Sequence, residues 1–145
     1  MYVGALLRVA YTTVAYYLVG LTPEENHWTK ANAWARVNAY RFAAWHWRKC
    51  LKYSDDSRAR ASLGWCYANL GLLDSAAEHY RAAHSRNSHP SIGVGLAQVE
   101  WDLGNFAKAR NLIEELAARR GELEPDTLAA LEALELKAAN AGGSS

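Results

Sequence analysis

Residues 63–83, LGWCYANLGLLDSAAEHYRAA, decide the fold. Gly71 stands between two alanine- and leucine-rich runs, and a glycine there tolerates the left-handed backbone that ends one helix and opens a tight turn. Beyond it, Ala76, Tyr80 and Ala83 recur at helical spacing and so share one face. The small Ala76 lets a second helix approach the first closely, and bulky Tyr80, one turn on, fills the layer beneath. The segment predicts an antiparallel helix pair.

The same phase returns every 33 residues. Ala10, Ala43, Ala76 and Ala109 share it, as do Asn38, Gly71 and Gly104, then Tyr40, Leu73 and Phe106. Trp47, Tyr80 and Ile113 follow, and finally Cys50, Ala83 and Leu116. The prolines agree independently. Pro23, Pro90 and Pro125 each stand where the first helix of a pair should begin, the one helical turn that accepts proline. The remaining junction, Ser54-Asp55-Asp56-Ser57, carries N-cap chemistry instead. The expected helices are 2–20, 23–37, 40–53, 57–70, 73–86, 90–103, 106–120 and 125–139, with ends uncertain by about 2–4 residues.

The order Leu63-Gly64-x2-Tyr67, turn Gly71, then Ala76-x3-Tyr80-x2-Ala83 resembles the tetratricopeptide repeat (TPR) family. The match is strongest in 57–86, good in 90–120 and weakest in 23–53. Lys30 stands where the pattern has leucine and Glu100 where it has tyrosine, so either first helix admits a register shifted by one residue. The resemblance implies an all-α fold, a right-handed superhelix of stacked antiparallel helix pairs. It also implies a non-catalytic protein–protein interaction module, an adaptor or a subunit of a larger assembly, whose first helices line a concave surface. Carried over position by position, the partner groove consists of Trp28, Asn32, Arg36, Arg58, Trp65, Asn69, Gln98 and Trp101. In the family's chaperone-binding branch a basic clamp grips a C-terminal carboxylate. Asn32 fits that clamp, but Trp28 replaces its lysine and Val94 and Gly95 bring no charge.

A chain of 145 residues, half of them apolar, is long enough for one packed domain. The net charge of +1 exerts no global pull on nucleic acid. Its distribution is uneven: residues 1–60 carry nine Lys/Arg against four acids, and the remainder seven against eleven. Cys50 and Cys66 are too few for a disulfide framework and read as small buried hydrophobes. His79 and His84, five apart, fall on different helix faces and make no metal site. No nucleophile elbow, phosphate loop or zinc-protease motif is present, and Gly93-Val94-Gly95 lacks the third glycine and the strand of a dinucleotide motif. The expectation is no enzyme, no cofactor and no nucleic-acid partner.

The organisation read from these patterns is an apolar N-terminal helix over 1–22, a repeat domain over 23–139 closed by a capping helix, and a flexible tail over 140–145. The capping helix places Leu128, Leu131 and Leu134 on one side and Glu132, Glu135 and Lys137 on the other. The N-terminus is the anomaly, with Arg8 its one charge in 21 residues. Val3, Leu6, Leu7, Ala10, Val14, Tyr17, Leu18 and Leu21 form a stripe suited to packing on the repeats. Tyr2, Val9, Tyr16 and Val19 then remain on the outside, and Trp45, Arg48 and Lys49 of the 40–53 helix add an aromatic and basic surface. These seven residues define an expected N-terminal interface for a protein partner. The alternatives are a membrane-associated accessory factor and a protomer that stacks end to end into a homopolymer. Localisation is accordingly cytoplasmic or membrane-associated.

Overall fold

The computed structural model describes residues 2–142. Among the described residues eight α-helices follow one another: α1 (Val3–Val19), α2 (Pro23–Ala35), α3 (Tyr40–Cys50), α4 (Ser57–Asn69), α5 (Leu73–Arg86), α6 (Pro90–Asp102), α7 (Phe106–Ala118) and α8 (Pro125–Gly142). A single 3-10 turn, Arg120–Glu122, joins the last two. Each helix packs on the next, α4 also meets α6, and α6 meets α8. Three antiparallel pairs, α2/α3, α4/α5 and α6/α7, thus stack in sequence, with α1 before them and α8 after.

The boundaries have local causes. Thr22 and Glu25 form a reciprocal capping box at α2. The Asp56 carboxylate accepts from the backbone N–H of Arg58 and Ala59 at α4, at 2.7 and 3.1 Å. The His89 ring accepts from Ser91 N–H at α6. Within the three pairs, each first helix ends through Asn38, Gly71 or Gly104, all with positive φ (59°, 75° and 80°).

Ala43, Ala76 and Ala109 are fully buried between helices, as are Cys50 and Ala83. Trp47, Tyr80 and Ile113 fill the layers at the expected positions. Tyr80 accounts for Gly64 of α4 and Gly95 of α6. A Cβ on Gly64 would lie 2.9 Å from one edge of its ring, and a Cβ on Gly95 would lie 2.5 Å from the other. The phenol is slotted between α4 and α6. At the C-terminal end, Leu131 and Leu134 of α8 bury against Val94, Ala97, Ile113 and Leu116, and Leu128 is half-buried.

The register of the first helices follows the 33-residue phase without a shift. Ala31, Gly64 and Ala97 are equivalent and all buried. Glu100 itself, not neighbouring Trp101, occupies the tyrosine position and is only 2% exposed. Its carboxylate is accommodated because Arg81 Nε donates to it at 2.6 Å and Asn105 Nδ2 at 2.7 Å.

Two expectations are corrected. Asn140, Ala141 and Gly142 continue α8 instead of leaving it as a flexible tail, since no helix breaker precedes Gly142; residues 143–145 lie outside the described part. The orientation of α1 is the reverse of the one expected. Its long apolar stripe, Val3, Leu6, Leu7, Ala10, Val14, Tyr17 and Leu18, is exposed, and α1 meets α2 through buried Ala5 and Thr12 with half-buried Val9, Thr13 and Tyr16. Ala10, although in phase, is not a core alanine. Periodicity reports that a face is apolar, not which neighbour it meets. Among the described helices α1 packs chiefly on α2, and close approach favours the small side of the helix. The Thr12 and Thr13 hydroxyls are satisfied locally, both donating to the Val9 carbonyl at 3.0 and 2.8 Å.

Candidate functional site

A trough of overlapping depressions runs along the first helices α2, α4 and α6. The first, of about 510 Å³, is lined by Trp28, Thr29, Asn32 and Ala33 of α2, by Arg36 at its C-cap, and by Arg8, Tyr11 and Thr12 of α1. The next shares Trp28 and Thr29 and is lined further by three carboxylates, Glu24, Glu25 and Asp56, and by Arg58. Arg58, Ala61 and Ser62 lead on to Ser91 and Ile92, then to Trp65 and Tyr80. The last, of about 370 Å³, is bounded by Trp65, Asn69, Val94, Gly95, Gln98 and Asp102, with Ala130 and Leu134 of α8 as its far wall.

Seven of the eight groove residues read from the sequence therefore line one continuous surface. Trp101 does not join them: it is half-buried, its ring edge-on to Phe106 at 4.9 Å. The contributions of Arg8, Tyr11 and Thr12 and of Ala130 and Leu134 come from helices outside the repeat pairs, which the repeat phase does not address.

The groove's chemistry is regular over its first two helices. Asn32 Nδ2 donates to the Trp28 carbonyl at 3.1 Å, and Asn69 Nδ2 to the Trp65 carbonyl at 2.9 Å. Each amide is anchored by its nitrogen to the turn carrying the tryptophan, leaving its oxygen as an outward acceptor. Trp28 packs edge-on against buried Trp47 at 4.8 Å and lies beneath the Arg58 guanidinium at 5.2 Å. Trp65 rests edge-on against Tyr40 at 5.1 Å and is 41% exposed. The α6 end differs. Gln98 Nε2 donates to both Asp102 oxygens at 2.8 Å and its Oε1 accepts from Lys137 at 3.3 Å, so both ends of this amide are already engaged.

Of the expected N-terminal interface, Tyr2 and Val19 are exposed, whereas Val9 and Tyr16 turn toward α2. Trp45 and Arg48 are exposed on α3, and Lys49 is half-buried with its ammonium 5.0 Å over the Trp45 ring. Beside them lies a pair the sequence reading missed. His27 and His46 meet Nδ1 to Nδ1 at 2.9 Å, with Trp45 edge-on to both rings. Burial, then the neighbouring charges, keeps both rings hard to protonate; the His46 value falls to about 4. The residues are 19 apart on different helices, so no spacing rule reveals them. Burial also raises the Cys50 and Cys66 thiols, to about 11 and about 12, which makes both unreactive.

No protein-family model matches the chain, and no curated protein matches it. Among solved structures it is similar to the type III secretion chaperone SycD of Yersinia enterocolitica, determined in complex with a peptide of the translocator YopD. The TM-score is 0.64 at 24% identity, over 78% of this chain and 92% of that one. The fold is TPR-like. At this identity the likeness concerns the fold, and the TPR-like stack accounts for the position of the trough, since first helices face inward when pairs of this kind superpose.

Proposed function

We propose that the chain is a non-catalytic peptide-binding module, an adaptor or chaperone-like subunit whose α2/α4/α6 trough holds an extended segment of another protein. The repeated Trp-x3-Asn arrangement carries this reading. Trp28 and Trp65 supply rigid apolar contact area, and the outward oxygens of Asn32 and Asn69 accept from the N–H groups of an extended backbone. The similar chaperone's complex with a translocator peptide adds support by analogy. A pull-down with the full chain identifies the partner. Trp65→Ala is then expected to weaken that complex about tenfold or more with unchanged far-UV circular dichroism. Intact binding together with a large fall in thermal stability would instead make Trp65 a packing residue and sink this reading.

The exposed stripe of α1 favours a second contact, in which that face meets another protein or a second copy of the chain. No described helix is long and apolar enough to cross a membrane. Sedimentation of the full chain in the absence of detergent is expected to show self-association that is lost in Leu7→Ser/Leu18→Ser, two exposed positions. A monomer at all concentrations removes the self-association reading.

A further inference from the structure

The depression between α1 and α2 differs in charge from the rest of the trough. Two guanidinium groups, Arg8 and Arg36, line it, and no carboxylate does. Neither guanidinium has a hydrogen bond or ion pair among the described residues, in contrast to those of Arg58, Arg81 and Arg120, which all have acidic partners. The two cations come from different helices, so the site exists only because α1 lies on α2 in the observed orientation. Its remaining lining is Tyr11, Trp28 and Ala33, the hydroxyls of Thr12 and Thr29, and the amide of Asn32, whose nitrogen is held by the Trp28 carbonyl. Both threonine hydroxyls already donate to their own helices, to Val9 and Glu25, and so do not compete for a cation-seeking ligand.

We infer that this depression is an anchor for an acidic side chain, Asp or Glu, of the segment held in the trough. The inference rests on the peptide-binding reading above and adds a charge requirement and a polarity to it. Guanidinium forks match a carboxylate geometrically, and two of them in a partly enclosed site favour one carboxylate over water or an amide. The ligand is an internal side chain and not a chain end. The α2 N–H groups here are committed to helical bonds, so no backbone donors capture a chain end, and the side-chain clamp for a terminal carboxylate is incomplete, with Trp28 in place of its lysine. The far end of the trough carries Asp102 and repels an acid. The bound segment is thus oriented with its acidic residue toward α1 and its apolar residues over Trp65 and Tyr80.

Display of random linear peptides on the full chain, with sequencing of the retained pool, tests this directly. The expected pool is enriched about tenfold in Asp or Glu over Asn or Gln at one position fixed relative to the enriched apolar residues. Arg8→Gln/Arg36→Gln is expected to lose that acidic preference and keep the apolar one, and Arg8→Glu/Arg36→Glu to select Lys or Arg there. Both arginines are exposed and unpaired, so circular dichroism should be unchanged in these variants. Apolar selection without an acidic preference, or an acidic preference that survives Arg8→Gln/Arg36→Gln, overturns the anchor and leaves the groove reading standing. Capture that requires a free C-terminus, lost on C-terminal amidation, overturns the side-chain assignment. Retention of no peptide by the wild-type chain removes the groove reading and the anchor together.

Discussion

Tyr80→Ala is expected to destabilise the chain by about 3–5 kcal/mol, the range for removing a large buried ring. For a domain of this size that lowers the melting temperature by roughly 10 °C or more. The ring is 6% exposed and separates α4 from α6, so its loss leaves a void between two layers rather than a dent at the surface. A companion substitution makes the test specific. Gly95→Ala places a Cβ 2.5 Å from the Tyr80 ring, and the ring cannot retreat because Gly64 holds its opposite edge. Overpacking of this kind costs about 1–3 kcal/mol, against the roughly 1 kcal/mol that alanine gains over glycine inside a helix. In the Tyr80→Ala background the clash is gone, and Gly95→Ala should become neutral or stabilising. Thermal or urea unfolding of the four proteins in this cycle reads the coupling. Additive effects would mean that Tyr80 does not wedge the two helices.

Arg81→Ala is expected to cost about 2–3 kcal/mol at neutral pH. Breaking a buried ion pair from one side typically costs about 3–5 kcal/mol, and the half-exposed Arg81 side chain places this pair below that range. The larger part of the loss is the carboxylate left behind, since Glu100 is 2% exposed and retains only Asn105. The pH dependence follows from the same pair. The Arg81 hydrogen bond, against the opposing effect of burial, holds the Glu100 carboxyl below its usual value of 4.5. The stability it contributes is present above about pH 4.5 and is lost as pH falls through the lowered folded value. In Arg81→Ala burial is opposed only by the Asn105 hydrogen bond and the Lys108 charge, and the carboxyl takes up a proton more readily on folding. The stability gap between wild type and variant should therefore close as pH is lowered from 7 toward 4. A gap independent of pH would show that Arg81 acts through packing alone.

Most of the architecture was legible before any coordinates, for local reasons. Proline at a first helical turn, Asp56 before Ser57, and glycine or asparagine after each first helix act within a few residues of the boundary they set. The alanine-and-aromatic phase also propagated correctly, placing Trp47, Tyr80 and Ile113 in the core. Seven groove residues fell on one surface for the same reason: equivalent positions on stacked pairs face the same way. Trp101 was misread because its neighbour Glu100, a charged residue in a buried position, makes sense only once Arg81 and Asn105 stand beside it.

By itself, then, the sequence determined the helices, their pairing and the register of each layer, because these depend on backbone preferences and on contacts repeated at one spacing. The tertiary structure alone decided what lies at the ends and across the layers. It turned the apolar stripe of α1 outward, put Arg8 and Arg36 on the lining of one depression, set His27 against His46 and closed the groove with Leu134 of α8. Each of these joins residues with no shared period. Their meeting depends on how whole helices approach one another, a long-range packing outcome that no local pattern encodes.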